Sequence, residues 1–194
     1  MFLINSDSAE QGISRRDVMK AGLWAAAGTL LMPSVAEAAA VKMPKSGSYD
    51  IAFVNTHTGE RFSGTYRVGA KYLPDAFEEI NYVLRDFRTN EVFPIDPRVI
   101  DIIYMVHRKT GRGSQPLEIL SGYRSPKTNA MLRQASSGVA RNSMHLSGQA
   151  IDFRMSGFST RSLRDIATGF KAGGVGYYPR SNFVHVDTGK FRTW

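Results

Sequence analysis

The chain of 194 residues contains no cysteine. This absence excludes disulfide bonds, iron–sulfur clusters and thiolate zinc fingers, so a bound metal must be held by histidine, aspartate or glutamate. The sequence also lacks a glycine-rich phosphate loop, a dinucleotide-binding fingerprint, a recognisable Ser/His/Asp trio and internal repeats. With 42% hydrophobic and 22% charged residues, it has the composition of an ordinary globular protein with one hydrophobic core.

Long apolar runs are scarce as well. The apolar stretch over residues 21–31 is too short to cross a hydrocarbon layer of about 30 Å as a helix, which disfavours a retained membrane anchor. A charged segment with Arg15 and Arg16 precedes it, and the small residues Ala36 and Ala38 follow it. This order is typical of a bacterial signal peptide, and the paired arginines resemble a twin-arginine export signal. We therefore expect a periplasmic protein without a stable membrane anchor.

The predicted organisation is a signal peptide over residues 1–38, a linker over 39–48 and one domain over 49–194. Residues 1–38 hold three basic and four acidic residues, so the remainder has 22 Lys and Arg against 13 Asp and Glu, a net charge of +9. Such a surface attracts polyanions. Export argues against nucleic acid as the partner and favours a cell-wall polymer with free carboxylates or an anionic membrane face. A role of the charge in solubility alone is the alternative.

Hydrophobic periodicity predicts an α+β domain in which helices mostly precede a compact antiparallel sheet. The strands are expected at residues 50–55, 61–67, 117–120, 149–154, 175–178 and 182–187. The helices are expected at residues 73–87, 96–111, 126–134 and 163–170.

Two segments, residues 143–152 and 183–189, contain two of the four histidines and have the residue types of metal ligands. His145 and Asp152 lie in the first segment and His185 lies in the second. Two imidazoles and a carboxylate suit a catalytic zinc ion that keeps one position open for water. The spacing of His145 and Asp152 alone is weak evidence, but the second segment lies on a separate apolar strand, where an imidazole needs a partner for each nitrogen.

Three motifs in order, at residues 121–126, 145–152 and 177–194, resemble the M15 class of D-alanyl-D-alanine metallopeptidases, and most nearly its murein endopeptidase K-like branch. The likeness extends over nearly all of the predicted domain. It implies a hedgehog/DD-peptidase-like fold, one zinc ion and peptidoglycan stem peptides as the substrate.

The resemblance also implies roles for single residues. His145, Asp152 and His185 would bind the zinc ion and leave its fourth position for the hydrolytic water. Arg124 matches an arginine that lies near the site in the family, where its fork of donors would hold a substrate carboxylate or the developing oxyanion. The alternative for Arg124 is a structural contact that ties its turn to the sheet.

The sequence departs from other M15 branches close to the last ligand. Where several of them have an acidic general base, this chain has Asn182, which cannot accept a proton, and where others have the first histidine of a His-x-His pair it has Phe183. Asp187 lies two residues after His185 and so on the same strand face. We hypothesise that Asp187 either takes the proton of the hydrolytic water or orients His185. A role as fourth ligand is disfavoured, because it would close the site.

The favoured function is an exported zinc endopeptidase that hydrolyses the peptide cross-links of peptidoglycan. A D-Ala carboxypeptidase at the same site is the nearest alternative, and Asn182 keeps open a non-catalytic wall-binding module with a degenerate zinc site. His57 is expected in a turn and His107 as a cation at a helix C-terminus, both outside the site. Tyr177 and Tyr178 are candidates for the substrate groove, although packing is expected for at least one of them.

Overall fold

The computed structural model describes residues 43–136 and 138–194. The predicted signal peptide, residues 1–38, and the first part of the predicted linker lie outside the described residues. The export signal and these boundaries therefore stay predictions.

The described residues form four α-helices, one short 3-10 helix and eight strands of a single sheet. The helices are α1 (Pro74–Val83), α2 (Pro97–Lys109), α3 (Pro126–Ala135) and α4 (Thr160–Phe170), and the 3-10 helix is Met144–Ser147. The strands are β1 (Ser48–Asn55), β2 (Arg61–Val68), β3 (Lys71–Tyr72), β4 (Leu117–Ser121), β5 (Ala150–Arg154), β6 (Gly174–Tyr178), β7 (Phe183–Asp187) and β8 (Arg192–Thr193).

The strands lie in the order β3-β2-β1-β4-β5-β7-β6-β8, which confirms the predicted α+β class. Most neighbours run antiparallel, as expected. Two pairs, β1 with β4 and β6 with β8, run parallel, which the prediction of an antiparallel sheet did not include. The chain between β1 and β4 contains α1 and α2, and this long connection is what a parallel pair requires.

Helix starts follow the signals in the sequence. A proline lies in the first turn of α1, α2 and α3, where its missing N–H has no intrahelical partner to lose. The Asp96 side chain caps α2 by accepting the N–H of Arg98 at 2.9 Å, and Ser125 caps α3 by accepting that of Thr128 at 3.2 Å. Among the described residues, no helix has both the length and the apolar character needed to cross a membrane.

Helices and sheet share one hydrophobic core. Helix α2 contacts β1, β7 and α4, while α4 also contacts β6 and β7. The largest side chains that are fully buried come from strands and helices alike: Tyr66, Phe53, Phe153, Ile80, Leu84, Ile100, Ile103, Leu117, Ile119, Ile151 and Leu163. Burial of these side chains removes a large apolar area from water, and this fixes the inner strands of the sheet, among them β5 and β7.

Candidate metal centre

The pairing of β5 with β7 brings two of the predicted ligands together. Asp152 lies directly opposite His185 in this antiparallel pair, and side chains of opposed residues project from the same face. Nδ1 of His185 lies 2.8 Å from Oδ1 of Asp152. The contact joins residues 33 positions apart in the chain, so it depends on the register of the sheet rather than on local sequence.

The third predicted ligand reaches the same place from the 3-10 helix before β5. Ser143 accepts the N–H of His145 at 3.4 Å and begins this turn, and Gly148 ends it with φ of 65°. Nε2 of His145 lies 3.2 Å from Oδ2 of Asp152. As a result, one ligand atom from each of His145, Asp152 and His185 lies within 4.8 Å of the others, and all three residues are buried.

The protonation of His145 suits a metal ligand. Its Nδ1–H donates to the carbonyl oxygen of Gly122 at 2.7 Å, and burial lowers the pKa of the imidazole below its ordinary 6.5. The neutral ring therefore turns the lone pair of Nε2 towards Asp152. Burial alone would raise the pKa of Asp152, but His145 and His185 together hold it well below its usual range. A neutral imidazole nitrogen and a carboxylate oxygen that face each other at 3.2 Å suit a shared cation, so the donor set fits zinc.

Asp187 lies behind His185 and is wholly buried. Its Oδ2 lies 3.0 Å from Nε2 of His185 and accepts from Nη2 of Arg192 at 2.7 Å. Its Oδ1 accepts from Nη1 of Arg192 at 3.0 Å and from the backbone N–H groups of Gly174 at 3.1 Å and Gly189 at 2.8 Å. Five donors thus surround a carboxylate that has about four lone pairs, which leaves no acceptor position for another proton.

The surroundings of Asp187 also shift the pKa values of the pair. Burial would raise the pKa of Asp187, but the hydrogen bonds from His185 and Arg192 hold it below its ordinary range. Burial would lower the pKa of His185, but its hydrogen bonds to Asp152 and Asp187 raise it to about 9. Asp187 is therefore a fixed anion that holds the proton on Nε2 of His185, while the proton on Nδ1 faces Asp152 and is the one that a bound metal ion would replace.

Arg124 lies beside this cluster with 11% of its side chain exposed. Its Nη2 lies 3.6 Å from Oδ2 of Asp152 and donates to Oγ of Ser121 at 3.3 Å. Its backbone N–H donates to the carbonyl oxygen of His145 at 3.1 Å, which couples the turn to the 3-10 helix. The buried Nε has no hydrogen-bond partner among residues 43–136 and 138–194. Arg124 therefore combines structural contacts with a positive charge beside Asp152.

A cavity of about 440 Å³ opens onto the three predicted ligands. One wall comes from the chain between α3 and the 3-10 helix, and another comes from Tyr178, Phe183 and Trp194. The rings of Tyr178 and Phe183 stack with centroids 4.4 Å apart, and Nε1 of Trp194 donates to the hydroxyl of Tyr178 at 2.9 Å. Tyr178 thus lines the groove, whereas Tyr177 packs against the hydrophobic core, as expected for one of the two tyrosines.

Comparison with known proteins identifies the family. The family model described as peptidoglycan L,D-endopeptidase MepK matches residues 44–194. The chain belongs to this family. A probable peptidoglycan L,D-endopeptidase MepK of Haemophilus influenzae is 44% identical over 144 residues, which cover 74% of this chain and 77% of that protein. The peptidoglycan L,D-endopeptidase MepK of Escherichia coli K12 is 44% identical over 140 residues, covering 72% and 76%. The predicted M15-class resemblance is confirmed.

The departure of this MepK-family chain at Asn182 has a backbone explanation. Asn182 lies between β6 and β7 with φ of 53°, a left-handed conformation that asparagine tolerates better than most residues. Its N–H donates to the carbonyl oxygen of Pro179 at 3.3 Å, and its Oδ1 accepts from the hydroxyl of Thr160 at 3.2 Å. Asn182 is a turn residue, whereas its neighbour Phe183 lines the cavity.

Sequence reasoning missed Arg192, which lines the cavity and pairs with Asp187. The one signal for it is a basic residue five positions after Asp187, and the turn that brings the two together is not evident from the sequence.

The other two histidines lie outside the centre. His57 stacks on Phe87 with centroids 4.1 Å apart. His107 lies in the last turn of α2, as predicted, but burial lowers its pKa, so the expected cation is wrong.

Proposed function

We propose that this protein is an exported, zinc-dependent endopeptidase that hydrolyses the peptide cross-links of peptidoglycan. The observation that carries the proposal is the cluster of His145, Asp152 and His185 at a cavity large enough for a peptide segment. The relatives from H. influenzae and E. coli are named as peptidoglycan L,D-endopeptidases, and this supports the same substrate class here.

The ligands in this proposal are Nε2 of His145, a carboxylate oxygen of Asp152 and Nδ1 of His185. These are the atoms that already face one another in the structure. Three protein ligands leave a position open on the cavity side, as in catalytic rather than structural zinc sites. When bound, zinc supplies Lewis-acid polarisation of a carbonyl and activation of a water molecule.

Of the two roles hypothesised for Asp187, we propose that it orients His185. Both of its oxygens are already occupied by N–H donors, so it is poorly suited to accept a proton from water. Its hydrogen bond with Nε2 of His185 selects the tautomer in which Nδ1 carries the lone pair. Partners of this kind fix the ring of a ligand and increase its basicity.

Arg124 is assigned to substrate binding in this proposal. Its guanidinium lines the cavity and lies 3.6 Å from Oδ2 of Asp152, so it would bring a positive charge close to a carbonyl bound at the metal. A guanidinium fixed there would stabilise an oxyanion or a substrate carboxylate. The basic surface predicted for the exported domain adds a long-range attraction for a polymer that is rich in carboxylates. Delivery to the periplasm by the predicted twin-arginine signal would bring the enzyme to that polymer.

The test is incubation of the purified protein with cross-linked muropeptide dimers, with and without a chelator. We expect conversion of dimers to monomers that stops on chelation and returns after about one equivalent of zinc is added. The variant His185→Ala should lose both zinc and activity, whereas His57→Ala, outside the centre, should keep both. Trimming of D-Ala from monomers with intact dimers would identify a carboxypeptidase instead, and binding without cleavage would identify a wall-binding module. Elemental analysis that finds no metal after resupply would overturn the zinc site.

A further inference from the structure

Of the two arginines among the described residues that line the cavity, Arg124 and Arg192, only Arg192 has no role toward substrate in the proposed function. It follows β7 and enters β8, and 46% of its side chain is exposed, whereas the side chain of its partner Asp187 is fully buried. Its guanidinium carbon lies 4.9 Å from the ring centroid of Trp194, within the range of a cation–π contact. The guanidinium is therefore held in place and still open to the cavity.

The hydrogen bonds of Arg192 occupy one edge of its guanidinium. Nη1 and Nη2 donate to the two oxygens of Asp187 at 3.0 and 2.7 Å, as a two-pronged fork. The second hydrogen of Nη1 is directed to the carbonyl oxygen of Lys190 at 3.1 Å. A guanidinium has five N–H donors in a rigid plane. Two therefore remain, on Nε and on the far side of Nη2, and neither has a partner within the part of the chain that the structure describes.

These two remaining donors lie on the same edge of the plane and point in parallel. That edge matches the two oxygens of a carboxylate as well as the occupied edge matches Asp187. A lysine could not serve two carboxylates in this way, since an ammonium lacks a second planar edge. The donors of Arg192 are thus occupied on the edge that faces Asp187 and have no partner on the Nε and Nη2 edge.

We propose that Arg192 binds a free carboxylate of the substrate through its Nε and Nη2 edge. The inference rests on the proposed function and narrows its substrate class to peptide cross-links that carry an unmodified carboxylate close to the scissile bond. The other edge of the Arg192 guanidinium donates to Asp187, and Asp187 in turn hydrogen-bonds His185. Two hydrogen bonds therefore connect the substrate-binding edge of Arg192 to the proposed metal ligand His185.

The charges around the cavity agree with an anionic substrate. Of the described residues that line it, Arg124 and Arg192 are permanent cations, Asp152 and Asp187 are anions, and the two histidines would be neutral as metal ligands. A divalent ion bound by His145, Asp152 and His185 would make the net charge of the cavity positive, so a carboxylate would be attracted into it. The guanidinium of Arg192 is already fixed, which limits the rotamer entropy lost when the substrate binds.

The experiment compares a synthetic cross-linked stem-peptide dimer with versions in which each free carboxylate in turn is a carboxamide. Both kcat/KM and the dissociation constant are measured on the zinc-loaded protein. At one of the substituted positions, we expect the wild-type kcat/KM to be about 10- to 100-fold higher for the peptide with the carboxylate than for the peptide with the carboxamide. This is the size of effect expected for a charge-assisted, two-pronged hydrogen bond. Arg192→Lys should reduce that preference to less than about threefold, and Arg192→Gln provides a second variant if the first folds poorly.

Arg61→Lys is the matched control, because Arg61 is exposed on β2, which three strands separate from β7. It should keep the wild-type preference. If the Arg192 variants slow cleavage of the carboxylate and carboxamide peptides by the same factor, Arg192 only supports Asp187 and the proposal is wrong. The proposal is also overturned if the wild-type protein cleaves and binds all of the peptides equally well. A wild-type protein that cleaves none of them contradicts the proposed function instead, and the ratio of dissociation constants then decides the role of Arg192.

Discussion

The substitution Asp187→Asn separates the two roles that the sequence allowed for this residue. Asparagine keeps the shape of the side chain but loses the negative charge and one acceptor. The change leaves His185 and Arg192 in place. Nε2 of His185 then faces a neutral group at a distance of about 3.0 Å in the parent structure.

The expected loss can be worked from the contacts. Asp187 accepts two hydrogen bonds from Arg192 and two from backbone N–H groups, and it partners His185 while fully buried. Removal of a carboxylate behind a metal-binding histidine typically lowers metal affinity by about 10- to 100-fold, which corresponds to about 1.4 to 2.7 kcal/mol. The unpaired guanidinium of Arg192 is half-exposed and can be solvated, so the fold should survive.

Zinc affinity is measured by competition with a chromophoric chelator, together with turnover of muropeptide dimers at saturating zinc. We expect weaker zinc binding and a partial recovery of turnover when zinc is in excess. Asp165→Asn is the control, because Asp165 is exposed on α4 in a surface ion pair with Arg164. An Asp187→Asn protein with wild-type zinc affinity and almost no turnover would refute the reasoning and return Asp187 to the role of general base.

Two further predictions concern stability. Gly148→Ala should destabilise the protein by about 2 kcal/mol or more in denaturant titrations, because φ is 65° and the new Cβ would lie 2.3 Å from the carbonyl oxygen of Pro94. The control Gly59→Ala, with φ of 75° and no atom within 4 Å of the new Cβ, should lose only the stability that the left-handed backbone conformation costs. Equal losses in the two variants would contradict the packing argument. His107 is buried and its pKa is lowered, so its contribution to stability is present above about pH 6.5 and is lost as the pH falls, by at most about 1.4 kcal/mol per pH unit. His107→Gln should therefore show a shallower fall in stability between pH 7 and pH 5 than the wild-type protein, and parallel curves would be evidence against this origin.

Local signals in the sequence predicted most of the elements. Aspartate and proline at residues 96–97 marked the start of α2, and the apolar residues around His185 marked β7. The ligand set was also accessible, since His145, Asp152 and His185 were predicted together and lie together. These features depend on short-range preferences and on residue chemistry, both of which the sequence displays directly.

What the sequence could not supply depends on contacts between distant segments. The parallel pairing of β1 with β4 is set by how α1 and α2 cover the sheet, and no local pattern encodes it. The tautomer of His145 depends on the carbonyl oxygen of Gly122, 23 residues away. The hydrogen bonds to Asp187 come from Arg192 and from two backbone N–H groups, one at the start of β6 and one after the end of β7. These donors are the basis for preferring the orienting role of Asp187 to that of a general base.

The opposition of Asp152 and His185 across β5 and β7 has a consequence for how the molecule matures. A slip of one residue between these strands would turn His185 and Asp187 to the opposite face. In the proposed zinc enzyme, ion capture would therefore depend on the docking of β7 against β5, and a newly made chain in which these strands are not yet paired would be inactive. Zinc uptake would then report the fraction of molecules in which β7 is correctly paired, and a fluorescent zinc indicator could follow this folding step in real time.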